Sequence, residues 1–283
     1  MGRLGTLVRD GALMTQGFTP KGVTAGLLGA VGISLHPGDK TTAYPGGKES
    51  ACCVSLDFDV TRESRAEANH RGTHLLLYQA EKDNIPLTWA ICGMTVERDP
   101  EPLEAILNSG APHEIACHTY SHLNVDAASP AELETDFEKW RSVVGGSAPR
   151  TFVFPYNKMG NFETIRRLGF TAFRGEERRI SPPSLENGIC NISPVMYLNG
   201  VSGGAVETAR RFIDLCVKYR SVFHLWSHPW NLSREGNPDK YAKEVLEPIF
   251  SHLREKANRG RVGLFTMGEL ALMVPALSSG PKN

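Results

Sequence analysis

From Ala51 onward, short apolar runs alternate with longer amphipathic, charged stretches. The apolar runs predict strands at Ala51–Phe58, Leu87–Cys92, Glu114–Cys117, Thr151–Phe154, Thr171–Phe173, Val222–Trp226 and Val262–Phe265. The stretches between them predict helices over Arg65–Lys82, Glu101–Asn108, Pro130–Val144, Phe162–Leu168, Ala205–Lys218, Asp239–Ala257 and Met267–Val274. Two helix starts carry capping boxes, Ser129-Pro130-Ala131-Glu132 and Thr266-Met267-Gly268-Glu269. Strands alternating with helices need crossover connections and a parallel sheet. Seven such units predict an α/β barrel or near-barrel, a fold whose chemistry gathers at the C-terminal ends of the strands. Residues 1–48, rich in Gly and Pro, read as an N-terminal extension and linker, which leaves 49–283 as one barrel domain.

Composition narrows the function classes. The 283 residues are 41% hydrophobic and 22% charged with a formal net charge of zero, so nothing in the charge balance calls for a nucleic-acid partner. Six cysteines lie mostly in apolar runs and form no CxxC pair, which reads as reduced and buried. Only Cys117, beside His118, stands near candidate chemistry. The start, MGRLGTLVRDGALM, lacks a secretory h-region, and the apolar stretch Gly22–Leu35 is too short to span a bilayer. The plain expectation is a cytoplasmic protein. The alternative places the first 35 residues as a helix on a membrane surface or a partner. Sequons at Asn191 and Asn231 occur at chance frequency and carry little weight.

Three polar clusters fall where predicted strands end. In Ser55-Leu56-Asp57-Phe58-Asp59, strand alternation puts both aspartates on one face with Leu56 and Phe58 behind. Two such carboxylates repel unless one binds a cation or keeps a proton, or the strand end is simply solvated. In His118-Thr119-Tyr120-Ser121-His122, the four-residue spacing predicts two imidazoles on one face of a helical turn. Each is otherwise an ordinary structural histidine. His228 follows an apolar strand, and Pro229 fixes the turn after it. Two histidines and a carboxylate make a three-ligand metal site with room for water, while a second carboxylate and a third histidine serve as base and acid. That set is the minimum for metal-assisted hydrolysis.

With these residues in view, the sequence resembles the polysaccharide deacetylases, the NodB-homology group of carbohydrate esterase family 4. The ordered motifs SLDFDVT, HTYSH, FVFPYN and LWSHPWN carry the resemblance, which runs from about Ala51 to Val274. It implies a distorted (β/α)7-type barrel and one divalent metal ion, most often Zn2+, with Co2+, Mn2+ or Ni2+ as the alternatives. It implies Asp59, His118 and His122 as ligands, Asp57 as base, His228 as acid and the Tyr156 backbone N–H as an oxyanion donor. Trp226 would shape the acyl pocket, and Pro155, Asn157 and Trp230 would contact substrate. Two departures stand out. Phe58 separates the aspartates, as in an intracellular branch that includes lipid-sugar deformylases. Val153 occupies the place of an arginine that contacts the catalytic aspartate, and Asn157 replaces a glycine. Arg174 is the candidate substitute, a surface arginine being the alternative.

The resulting expectation is a metal-dependent hydrolase that removes an N-acetyl or N-formyl group from an amino sugar in a glycan or glycan precursor. The alternatives are an amidohydrolase acting on a non-sugar amide or cyclic imide, and a degenerate sugar-binding relative. Without a leader, a nucleotide- or lipid-linked precursor is the better substrate, and the apolar N-terminal stretch would suit peripheral membrane contact.

Overall fold

The computed structural model describes residues 32–40, 42–59, 65–146, 148–199, 204–233 and 237–272. The run SACCVSLDF forms β2 (Ser50–Phe58), and every residue of it is buried. A strand covered on both faces reads as a continuous apolar run, and β2 is such a strand. It pairs in parallel with β11 (Val222–Ser227) on one side and β3 (Leu87–Ile91) on the other. The sheet continues in parallel from β3 through β4 (Glu114–Cys117), β5 (Thr151–Phe152), β6 (Ala172–Phe173) and β9 (Ile189–Asn191). At the other side β11 pairs with β10 (Met196–Leu198), and β12 (Val262–Leu264) pairs with the start of β2. An antiparallel strand, β8 (Ser184–Glu186), lies against β9.

The sheet curls until its two sides nearly meet. Between β9 and β10, the Ile192 N–H donates to Phe173 O at 3.0 Å and the Val195 N–H to His224 O at 2.9 Å. The chain itself thus bridges the gap, and the result is a distorted (β/α)7-type barrel. Strands β8 to β10 have no counterpart among the expected elements. Each is three residues long, too short for a period-2 pattern to show.

Helices cover the outside: α1 (Ala66–Asp83), α2 (Gly93–Arg98), α3 (Glu101–Leu107), α4 (Pro130–Val144), α5 (Phe162–Arg167) and α6 (Ala205–Lys218). The expected helix over Asp239–Ala257 is three pieces, α7 (Pro238–Tyr241), a π turn (Ala242–Leu246) and α8 (Glu247–Asn258). The last helix is α9 (Met267–Ala271), and its expected end at Val274 lies outside the described residues. Both capping boxes form.

The floor of the barrel is closed. The amides of Met267 and Gly268 in α9 donate to Thr88 Oγ1 and Glu114 Oε2, each at 2.9 Å. Glu114 also accepts from Thr88 Oγ1 at 3.0 Å and Thr151 Oγ1 at 2.6 Å. Burial raises the pKa of this carboxyl, against the pull of those hydrogen bonds. Chemistry is left to the opposite end, where the strands terminate.

Residues 32–40 and 42–48, at the close of the glycine- and proline-rich stretch, pack on the barrel. β1 (Ser34–Leu35) pairs with β7 (Arg179–Ile180), and the buried Tyr44 hydroxyl donates to Arg220 O at 3.0 Å. Most of the apolar stretch Gly22–Leu35 lies outside the described residues. Among those described, no helix is long and apolar enough to cross a membrane. All six cysteines are free and buried.

Candidate active site

Five ionisable side chains meet above the C-terminal ends of β2, β4 and β11. Along β2, alternation sends Leu56 and Phe58 into the outer core beneath the helices and turns Ser55 and Asp57 inward. Arg174, the first residue after β6, donates Nη1 and Nη2 to the two oxygens of Asp57 at 2.5 Å each. Both residues are 3% exposed, which makes this a buried fork-to-fork pair. The guanidinium also lies 3.3 Å from Asn157 Oδ1 and 4.3 Å over the Trp226 ring. Burial alone would raise the Asp57 carboxyl; Arg174, His118 and His228 outweigh that and hold it below the usual carboxylate range. Val153 instead fills the barrel interior with Ala90 and Ala116. Because β5 and β6 are neighbours, the cation comes from the adjacent strand.

Beneath this pair sits a histidine absent from the candidate set. His224 is wholly buried, with Nδ1 3.1 Å from Ile192 O and Nε2 2.8 Å from Ser55 Oγ. Burial and the Arg174 charge push its pKa down to about 3. The ring is therefore neutral, donates to the carbonyl and accepts from the serine, whose oxygen lies 3.4 Å from Arg174 Nη1.

His118 follows β4, with Nδ1 2.8 Å from Val153 O. A carbonyl only accepts, so Nδ1 carries the proton and Nε2 of the neutral ring presents a lone pair. Nε2 lies 2.9 Å from Asp59 Oδ1, and His122 Nε2 lies 3.4 Å from the same oxygen. Neither approach has the direction of a hydrogen bond, and Asp59 Oδ1 is buried without a hydrogen-bond partner. Ligand atoms of Asp59, His118 and His122 all lie within 4.8 Å of one another. Acceptors turned together with no donor between them leave a place for a cation, and one carboxylate with two imidazoles is a donor set that suits zinc. The residues fit a divalent metal. Burial lowers the His118 pKa, but Asp57 and Asp59 more than reverse this. A proton competes for the same place, so metal affinity falls as pH drops.

The expected helical turn at this motif does not form. Residues 118–124 make a loop in which Thr119 (φ 60°) and His122 (φ 58°) are left-handed. Asp136 of α4 accepts from the amides of Tyr120 (2.6 Å) and Ser121 (3.0 Å) and from the Ser121 hydroxyl. Thr119 Oγ1 accepts from the Leu123 amide at 2.9 Å. Short polar side chains of this kind compete with helical bonding. The two imidazoles still meet, with ring centroids 5.0 Å apart.

His228 stands on the far side of Asp59, Nε2 to Oδ2 3.3 Å. Trp230 stacks on its ring at 4.2 Å, and Trp226 meets it at an angle at 5.5 Å. Both tryptophans are buried, so they buttress the imidazole and Arg174. The following turn rests on α1, where a Cβ at Gly72 would come within 2.0 Å of Pro229 O. Gly72→Ala is expected to displace the His228–Trp230 turn, costing about 1–3 kcal/mol in denaturant unfolding and lowering turnover with metal content unchanged. Full turnover in that variant would show that the turn tolerates displacement.

Pro155–Asn157 forms one 3-10 turn, with Tyr156 at φ 58°, ψ 11° and Asn157 at φ 54°. Asparagine tolerates the left-handed region better than most residues. Pro155 is buried, and the Asn157 amide nitrogen donates to Glu177 Oε1 at 2.9 Å. The Tyr156 ring is 63% exposed at the mouth and meets His122 at 4.3 Å. The sequons are buried: Asn191 is 3% exposed and Asn231 not at all.

Fold and site together define a curled (β/α) barrel with an Asp-His-His cluster and a buried Asp–Arg pair at its mouth. Residues 46–173 match the family model described as polysaccharide deacetylase. Comparison with curated proteins gives no match. Among solved structures, the chain is similar to a protein from Mycobacterium smegmatis assigned as a polysaccharide deacetylase, with TM-score 0.67 and 19% identity over 88% of this chain and 98% of that one. It is also similar to one from Pseudomonas aeruginosa PAO1 (TM-score 0.62, 15% identity, 86% and 95% covered). PuuE allantoinase has the same TM-score, 0.62, at 14% identity over 87% of this chain and 96% of that one. At these identities the structural likeness is one of fold. The matched segment, a little under half of the chain, resembles the polysaccharide deacetylases, and the fold of the described residues is the one that these solved structures share.

Proposed function

We propose that this chain is a hydrolase that removes an N-acetyl or N-formyl group from an amino sugar in a glycan or glycan precursor. Resemblance to polysaccharide deacetylases supports deacylation of sugar-like substrates. The observation that carries the reading is the meeting of Asp59, His118 and His122 with Asp57 and His228 at one mouth. A divalent ion held by Asp59, His118 and His122, zinc first, would polarise the amide carbonyl and ease ionisation of a water. Asp57, kept ionised and aligned by Arg174, takes the proton of the attacking water. His228 gives a proton to the departing nitrogen. The Tyr156 backbone N–H is the proposed donor to the oxyanion, worth a few kcal/mol for one such donor. The exposed Tyr156 ring offers a face on which a sugar can lie.

Acetate and formate release from a panel of N-acyl amino sugars, with a cyclic amide included because of the allantoinase-like fold, tests the reading. Chelation is expected to abolish release, zinc to restore it, and His118→Ala to lose both activity and stoichiometric metal. A chelated protein that turns over at the full rate would defeat the metal assignment. Release from the cyclic amide alone would transfer the function to that class.

A further inference from the structure

The loop that carries His118 and His122 is held in a shape its own residues do not favour. Thr119 (φ 60°) and His122 (φ 58°) are left-handed, a costly region for a β-branched residue above all. Such a shape persists where the surroundings over-determine it. One side of the loop is tied through its carbonyls: the Gly93 amide donates to Thr119 O at 3.1 Å, and the Met94 amide to Tyr120 O at 2.9 Å. The other side is tied through its amides, and a single side chain does it. Asp136 takes the Tyr120 amide on Oδ1 at 2.6 Å, and the Ser121 amide (3.0 Å) and hydroxyl (2.5 Å) on Oδ2. Its two oxygens thus close over the successive amides that separate the two left-handed residues. Asp136 is itself fixed, because α4 buries Leu133, Phe137 and Trp140. The Trp140 indole N–H donates to Ile91 O at 2.7 Å, and the His118 amide donates to the same carbonyl at 3.0 Å. A carbonyl has two lone pairs, so the end of β3 ties down both α4 and the start of the loop.

The two imidazoles depend on the loop unequally. His118 has anchors of its own, its amide on Ile91 O and its ring Nδ1 on Val153 O at 2.8 Å. His122 comes directly after the clamped pair, and its left-handed backbone turns the ring back to within 3.4 Å of Asp59 Oδ1. We propose that Asp136 is a positioning residue that holds His122 in its ligand-presenting place before any ion arrives, so that binding an ion does not also have to order the loop. The inference rests on the assignment of Asp59, His118 and His122 as metal ligands in the proposed hydrolase.

Asp136→Ala removes the clamp and leaves Leu133, Phe137 and Trp140 in place. Alanine suits a helix interior, so α4 is expected to stay folded. Amide exchange in the chelator-stripped protein, read by mass spectrometry over residues 118–124, is expected to speed up in Asp136→Ala and to keep the parent's rates in β2 and β3. Zinc affinity, measured by competition with a chromophoric chelator, is expected to fall about 10- to 100-fold, the range for an outer-shell partner of a metal ligand. Asp136→Asn keeps the volume and one acceptor oxygen, and its zinc affinity is expected to lie between those of the parent and Asp136→Ala. Parent exchange rates over 118–124 in Asp136→Ala overturn the proposal, and so does faster exchange there with the parent's zinc affinity. Faster exchange throughout the barrel in both variants would mark a merely structural residue and overturn it as well. A parent protein that binds no zinc would sink the metal assignment, whereas the exchange comparison is made without metal and judges the loop by itself.

Discussion

Arg174→Ala is expected to lower the free energy of unfolding by about 3–5 kcal/mol, the range for breaking a buried ion pair from one side. The size follows from what stays behind: Asp57 is 3% exposed, and its two oxygens are held by that guanidinium. Removing the cation leaves a desolvated carboxylate that must take up a proton or draw in water. Trp226 loses the group lying over its ring at the same time. Arg174→Lys restores charge without the fork and is expected to recover only part of the loss. Arg174→Met combined with Asp57→Asn removes both charges and is expected to unfold later than Arg174→Ala alone. Urea titrations of the four proteins check this. A loss below about 1 kcal/mol in Arg174→Ala, the scale of an exposed pair, would show that the pair is solvated.

Asp57→Ala and His228→Ala are each expected to cut turnover by roughly a hundredfold or more, following general acid–base magnitudes, while zinc binding persists. Both lie outside the Asp59-His118-His122 set, but with Asp59 they form a second convergent group, so retained zinc in both variants and its loss in His118→Ala is the pattern that assigns the metal to the first set. Metal analysis beside initial rates is the check. Near-normal rates in both variants would remove the acid–base assignment and leave the cluster as a binding site.

Much of this was legible from residue order. β2 read as a strand because its residues are apolar on both sides up to Asp57, and period 2 placed Leu56 and Phe58 opposite the aspartate. Ser129 and Thr266 announced their helices because a capping box is local chemistry. Arg174 was a candidate because it follows a short strand directly. Its distance to Asp57 in the chain, 117 residues, hides the pairing itself.

What stayed hidden depended on side chains meeting across the fold. The HTYSH spacing suits a helix, but Asp136 on a different element captures the loop amides, and no period reports that competition. Asn231 sits in a sequon, a surface pattern, yet is fully buried behind His228. His224 looked like one more residue of an apolar strand, and only the inward pleat shows it against Ser55. Strands of two or three residues near β7 to β10 exist through their neighbours, since so short a run has no stability of its own.

The meeting of Arg174 and Asp57 has a consequence for how such barrels vary. Neighbouring parallel strands run about 4.8 Å apart, and the inward positions at one height form a ring. A long cationic side chain can then be contributed by either of two adjoining strands and arrive at the same target, with the vacated place filled by a small apolar residue such as Val153. Alignment position and spatial position come apart at that height of the barrel. A relative lacking a charge at its accustomed place in the chain is incomplete only if the adjoining strand has not supplied it.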